Sequence, residues 1–272
     1  MLLRVRQKLL SPLHRAVVDG DVIVLKKMIQ QGIDLHGRDP LGFTPQELAQ
    51  LLGKKECQFL LQDVPTTSFS VQGKGEEQPK KLSIAAFEAF FGVVYRPYLY
   101  FPSYAALCQT IANCPYILRC KWLAQENYAL TQQYKRSLMQ GMLAPLYVKW
   151  MNDSLGYGIL AEKEIVKGSF VGEYTGVVRQ LLRLQQNQNA YCLHYPTRFW
   201  SRQYMVIDAL QEGNLMRFMN HSDCPNVEPV CLVDRGLLHL AFIAKCDITQ
   251  HTQLTFDYGN DFWQHRQKYL EA

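Results

Sequence analysis

The chain has 272 residues, with 29 Lys and Arg against 24 Asp and Glu for a formal charge of +5, and is 48% hydrophobic and 19% charged. That composition excludes a disordered, fibrous or collagen-like chain and leaves room for one large domain or two smaller ones. Eight cysteines stand at 57, 108, 114, 120, 192, 224, 231 and 246 with no CxxC pair, which predicts reduced thiols in an intracellular reducing compartment rather than a disulfide framework or structural zinc. The start, Met1-Leu2-Leu3-Arg4-Val5-Arg6, lacks an apolar stretch of signal-peptide length, and the greasiest later segment, Phe87 to Phe101, is interrupted by Glu88 and Arg96. Neither a cleaved signal nor a membrane span is expected. Residues 1–144 carry 17 basic and 11 acidic side chains (+6), and residues 145–272 carry 12 and 13 (−1). No basic run with interleaved aromatics accompanies that imbalance, so no direct nucleic-acid site is evident.

Offsetting the N-terminal region on itself by 33 residues aligns Pro12 with Pro45, Ala16 with Ala49, Gly20 with Gly53 and Met28 with Leu61. With Ser11-Pro12-Leu13-His14 opening the first unit and Gly42-Phe43-Thr44-Pro45 the second, residues 1–63 resemble about two ankyrin repeats, the second departing where Gln46-Glu47 replaces Leu-His. Such a unit cannot bury its apolar face alone. Two copies should therefore lean on the rest of the chain, and the resemblance implies a protein partner or a share in substrate recognition.

Residues 64–81 are polar and rich in breakers, which predicts a linker and a domain boundary. Residues 82–144 predict a helical connector, with Leu123, Leu130, Tyr134 and Leu138 forming one apolar stripe on a helix between Pro115 and Gln140. The equal spacing of Cys108, Cys114 and Cys120 does not place three thiols on one helical face and predicts buried free thiols, not a metal site. From Pro145 the pattern changes to short β-like runs at Leu146 to Met151, Phe170 to Thr175, Tyr204 to Asp208, Leu237 to Ala244 and Leu254 to Phe256. The expected fold class is α+β, with helical units followed by an irregular, mostly β domain over 145–260.

Four separated stretches of this last region belong together: Gly156-Tyr157-Gly158; Phe170 to Gly176; Ile207-Asp208-Ala209 leading to Gly213 through Ser222 and on to Pro225-Asn226; and Leu254-Thr255-Phe256-Asp257-Tyr258-Gly259. In order and spacing they resemble the motifs of the SET-domain protein lysine methyltransferases, over about 120 residues. Any one motif is cheap, whereas four in the family's order argue against chance. The resemblance implies a β fold with a pseudoknot and S-adenosylmethionine as cofactor. The Gly156, Tyr157 and Gly158 turn would hug the cofactor, and bare backbone at its glycines would allow close approach. Asn220 and His221 would bind its adenine end, with Arg217, Phe218, Tyr191 and Tyr258 also at the cofactor. The same placement argues against His221 as a general base.

Methyl transfer to lysine needs a neutral amine aligned with an electrophilic methyl, which is work of positioning and electrostatics. The resemblance assigns the catalytic tyrosine to Tyr258, a tyrosine between cofactor and lysine channel to Tyr191, and the position that limits the methyl count to Phe256. Phenylalanine there leaves space, which predicts di- or trimethylation. Asp223 stands where many relatives carry a zinc-binding Cys, and no Cys follows residue 246, so no metal is expected. The tail 261–272 resembles the start of the post-SET segment in the histone H3 lysine-9 branch. There Trp263 would cover the adenine or the channel, or simply pack.

The expected activity is protein lysine N-methylation, with histone tails as the leading substrate class. A non-histone protein substrate is the alternative within that activity, and a binding protein on an inactive SET scaffold the alternative outside it. The compact combination of ankyrin repeats and SET domain is similar to bacterial SET proteins delivered into eukaryotic hosts, which implies an effector acting in a host cell, including its nucleus.

Overall fold

The structure, a computed structural model, describes residues 9–61, 67–113, 121–182, 189–195 and 203–263. Its N-terminal part is two helical hairpins built on one local recipe. Helix α1 (Pro12–Asp19) is capped by Ser11 and closed by Gly20 at φ 74°, and α2 (Val22–Gln30) is capped by Asp21. Helix α3 (Pro45–Leu51) starts in a capping box between Thr44 and Glu47, and Gly53 at φ 62° turns the chain into α4 (Lys55–Leu61). The offset of 33 residues thus appears as the same cap, the same first-turn proline and the same left-handed glycine used twice. Buried His14 joins the hairpins, one ring nitrogen 2.7 Å from Ser11 Oγ and the other 3.2 Å from the Phe43 carbonyl. Leu13, Val17, Leu25, Phe43 and Leu48 are buried in a core continuous with the β region.

The expected linker over 64–81 is corrected by the structure. Strand β1 (Ser68–Gln72) runs parallel to β4 (Leu146–Asn152), with Ser70 opposite Tyr147, and antiparallel to β2 (Lys80–Ser83). The polar composition concealed a period-two alternation that buries Phe69 and Val71. Phe69 meets Phe87 and Tyr95, each at 4.7 Å between ring centroids.

Helices α5 (Ile84–Phe91), α6 (Tyr104–Ala112) and α7 (Lys121–Met139) fill the connector, with a short strand β3 (Val94–Tyr95) between the first two. Helix α7 lays Tyr134 and Leu138 on β11 (Val227–Asp234) and β12 (Leu237–Ala244), where Leu232, Ala241 and Ile243 receive them. The Leu123 side chain of the expected stripe, and Cys114 and Cys120, lie outside what is described.

Three sheets complete the β region. The six-stranded one has the order β10-β13-β5-β4-β1-β2, with β5 (Gly156–Ala161), β10 (Asn220–His221) and β13 (Gln253–Phe256). The second is β11-β12-β6 with β6 (Phe170–Glu173), and the third is β3-β9-β7 with β7 (Gly176–Leu182) and β9 (Gln203–Gly213), to which β8 (Cys192–Tyr195) adds. At Gly176 an added Cβ would stand 2.5 Å from the Asp208 carbonyl oxygen, so only glycine lets β7 close on β9 there. Among the described residues, no helix is long and apolar enough to cross a membrane.

Candidate active site

The site forms where β10 lies parallel to β13, pairing Asn220 with Thr255 and His221 with Phe256, while β13 runs antiparallel to β5. A 3₁₀ turn, Leu215–Phe218, leads into β10 and is capped by buried Asn214, whose amide also donates to the Glu173 carbonyl at 2.7 Å. Asn226 clamps the crossing: its Oδ1 accepts from Thr255 N–H at 2.9 Å and its Nδ2 donates to the Gln253 carbonyl at 2.8 Å. The Asn-His-Ser and Pro-Asn stretches are thereby tied to the terminal Phe-Asp-Tyr-Gly by side-chain amides acting as extra strand rungs.

Next to this crossing is a cavity whose wall includes Tyr174, Leu193, Arg217, Met219, Phe256 and Tyr258. The Tyr258 hydroxyl donates to the Met219 carbonyl at 2.7 Å, and its backbone N–H donates to His221 Nδ1 at 3.2 Å. Burial, with a smaller contribution from Tyr191, drives the Tyr258 phenol far above its ordinary value, so it works as a neutral hydroxyl. Phe256 is buried between Phe242 at 4.9 Å and Tyr258 at 4.7 Å.

Tyr191 is held by its backbone. Its N–H donates to Asn189 Oδ1 at 2.9 Å, and its carbonyl accepts from Tyr174 hydroxyl at 2.7 Å and from Ala209 N–H at 3.1 Å. Arg217 covers its ring at 4.2 Å and donates to the carbonyls of Ala209 and Leu210 at 2.9 and 3.0 Å. Burial lowers the Arg217 pKa, with Tyr191 and Tyr174 opposing.

His221 uses both ring nitrogens. Nδ1 accepts from Tyr258, so Nε2 carries the proton and lies 3.2 Å from Asp223 Oδ1. That leaves no free lone pair for proton abstraction. Asn220 Nδ2 donates to the Tyr157 carbonyl at 3.3 Å. In α8 (Asn260–Trp263), Trp263 stands over His221 at 4.8 Å and lies parallel to Tyr258 at 6.1 Å. Among the described residues its buried indole N–H has no hydrogen-bond partner.

Tyr157 and Phe218 join Phe90, Phe91 and Trp150 in an aromatic cluster, Phe218 lying 4.6 Å from Phe91 and Tyr157 5.1 Å from Trp150. They are not in the wall of the Tyr258 cavity. Gly156 (φ 70°) leaves open space where a Cβ would project, whereas a Cβ on Gly158 would meet Gln253 Nε2 and Met151 Cγ at 2.9 Å. The two glycines thus do different work, one leaving room and the other permitting tight packing. The residue that sequence reasoning missed is Tyr174, buried, in the cavity wall and bonded to Tyr191. Its adjacency to Gly172-Glu173 in an otherwise apolar strand run was the available signal. Among the described residues no cluster of three His, Cys, Asp or Glu could hold a metal.

Residues 156–259 match the SET domain family. A histone-lysine N-methyltransferase of Candida albicans, H3 lysine-36 specific, is 35% identical over 111 residues, covering 39% of this chain and 13% of the relative. The histone-lysine N-methyltransferase Set8 of Drosophila melanogaster is 29% identical over 143 residues, covering 48% of this chain and 20% of the relative. This chain therefore spans only a small part of either relative's length. Among solved structures, the Chaetomium thermophilum polycomb repressive complex 2 superposes with a TM-score of 0.41 at 25% identity, covering 49% of this chain and 17% of that one. The β10–β13 crossing and most of the wall of the tyrosine-lined cavity thus lie within the stretch that matches the SET domain family, and the relatives of this chain include histone-lysine N-methyltransferases.

Proposed function

We propose that this protein is an S-adenosylmethionine-dependent protein lysine N-methyltransferase acting on histone tails. The observation that carries the reading is the cavity walled by Tyr174, Phe256 and Tyr258 beside the β10–β13 crossing. The residues fit the cofactor: Gly156 leaves room at the backbone, and the buried indole N–H of Trp263 has a hydrogen bond to give. Gly156, Asn220, His221, Arg217 and Trp263 would hold it, and when bound it supplies an electrophilic methyl group.

The chain's own residues do the rest. A lysine amine titrates near pH 10.4 in water, so the site must favour its neutral form. Among the described residues none in the cavity wall carries a carboxylate, and the Arg217 guanidinium is there. An ammonium would meet apolar rings and a like charge, which shifts the amine toward neutrality. Tyr174 and Tyr258 have already committed their hydroxyl protons to backbone carbonyls. Their oxygens remain as acceptors for amine N–H groups and so orient the amine lone pair.

Phe256 supports a di- or trimethyl product, since it adds no hydroxyl beside the amine. The two N-terminal hairpins are read as ankyrin-type repeats that recognise the substrate or a partner, and the compact architecture supports an effector acting on host chromatin.

The test is incubation with labelled S-adenosylmethionine and core histones, nucleosomes or cell lysate. Label on one histone, reduced by about 10²-fold or more in Tyr258→Phe, is the expected result. Label confined to non-histone proteins of the lysate would replace the substrate class, and absence of both labelling and cofactor binding by calorimetry would overturn the enzyme reading. Phe256→Tyr should restrict the product to monomethyl-lysine by mass spectrometry, and an unchanged product distribution would remove Phe256 from its role.

A further inference from the structure

A second cavity lies where the N-terminal hairpins, the connector and the β region meet. Phe43 and Leu51 face it from the hairpins, Leu99 and Leu138 from the connector, and Leu237 from β12. Glu173 and His239 also stand in its wall, 4% and 9% exposed, with Glu173 Oε1 2.7 Å from His239 Nδ1. Glu173 precedes Tyr174, and the two belong to the walls of different cavities. The pocket thus lies across β6 from the Tyr258 site, as alternation along extended chain requires.

The polar groups here are unevenly engaged. Among the described residues Arg235 has one Nη2 N–H left. Its Nε donates to Asp234 at 2.6 Å, Nη1 to Glu47 at 2.8 Å and to the Gly42 carbonyl at 3.0 Å, and Nη2 to Met139 Sδ at 3.4 Å. Glu47 is held by this arginine and by the Thr44 N–H. Among the described residues the second carboxylate oxygen of Glu173 accepts no hydrogen bond, and neither does the Nε2 of His239 engage one. The pocket therefore offers acceptor capacity at one end and apolar side chains beside it, with two carboxylates, Glu47 and Glu173, in its wall against the one Arg235 guanidinium.

We propose that this pocket is a binding site for a small organic amine, whose apolar body lies among Phe43, Leu51, Leu99, Leu138 and Leu237 and whose nitrogen donates to Glu173. Charge-assisted bonds of this kind are short and strong in a dry setting, and the apolar wall is of the sort that ligand pockets present. An anion is disfavoured, because it would meet Glu173 and Glu47 against a single guanidinium already bonded to two carboxylates. The site uses side chains from both the hairpins and the β region, so it exists only while the two are docked.

The test is calorimetric titration of the full chain with benzylamine, with benzyl alcohol and benzoate as comparators. Saturable one-site binding of benzylamine is expected, at least about tenfold tighter than benzyl alcohol, with no binding of benzoate. Glu173→Gln should weaken it at least about tenfold. Because a change at so buried a carboxylate can disturb folding, Gln50→Trp provides a second arm: Gln50 is half-buried in the same wall on α3, and the indole should fill the pocket and abolish binding while Glu173 stays intact. The proposal is overturned if benzylamine does not bind at millimolar concentration, if benzoate binds equally well, if both variants bind as the parent does, or if S-adenosylhomocysteine displaces the amine, which would put it at the Tyr258 site instead.

Discussion

Two junctions organise this molecule, and they are built in opposite ways. The crossing of β10 and β13 is distributed: backbone pairs, the Ser222 N–H to Phe256 carbonyl bond at 3.2 Å, and the two amide bonds of Asn226 share the load. The seam between hairpins and β region is concentrated, because Arg235 at the β11–β12 turn ties Asp234, Glu47 and the Gly42 carbonyl together while covering the Phe43 ring at 4.3 Å. A distributed junction holds the reacting groups still and loses little when one side chain goes. A concentrated one can be opened at a single point, and with charges nearby it answers to pH.

The sharpest break should come from Arg235→Ala. It strands Glu47 and Asp234, 15% and 8% exposed in their side chains, so about 3 kcal/mol of stability should go, read from urea midpoints. Limited proteolysis should then cut between the hairpins and the β region before either part is degraded. Simultaneous loss of both parts would mean that the seam is not a separate unit. Asn226→Ala should cost less, about 2 kcal/mol, since two hydrogen bonds go but the strand pairs remain. A loss as large as that for Arg235 would show the crossing to be no more distributed than the seam.

The contrast also explains what was legible in the sequence. The hairpins were, because caps, first-turn prolines and left-handed glycines are local devices that repeat at 33 residues. Strand β12 was, because its eight residues are all buried and read as one apolar run. Strand β1 was not: Phe69 and Val71 alternate correctly, yet the breakers that follow them outweighed two apolar positions. Strand β11 was missed because Glu228-Pro229 interrupts it. In the site, motif residues Tyr258, Phe256 and His221 could be picked by spacing, but spacing cannot say which face a neighbour takes. Hence the meeting of Tyr157 and Phe218 in the aromatic cluster was not legible, and Tyr174 was left out although it stands in the cavity wall. Arg235 had no local signal at all. Its partners come from α3, from the loop before it and from α7, a meeting that only the fold creates.

Acid offers the gentlest way to separate the two junctions. Burial alone would raise the Asp234 carboxyl, but hydrogen bonding and charge from Lys135 and Arg235 outweigh it and hold the pKa below its ordinary value. A carboxylate whose folded pKa is depressed contributes stability above the unfolded value of about 4 and loses it as pH falls through the folded one. The seam should therefore weaken progressively below about pH 4, with Asp234 contributing to the change. The Lys135 share is reduced by solvent screening, because its side chain is 42% exposed. Asp234→Asn should flatten that part of the stability curve and leave its neutral arm lower. A parent and variant that fall in parallel below pH 4 would move the acid response to another carboxylate, of which Asp208 is the first to examine: burial raises its pKa, but the Leu210 N–H, Arg179 and Asn189 together pull it down, and Asn189 in turn holds Tyr191. Acid sensitivity would then reside at the Tyr258 site rather than at the seam, and the proposed activity would fall before the hairpins let go.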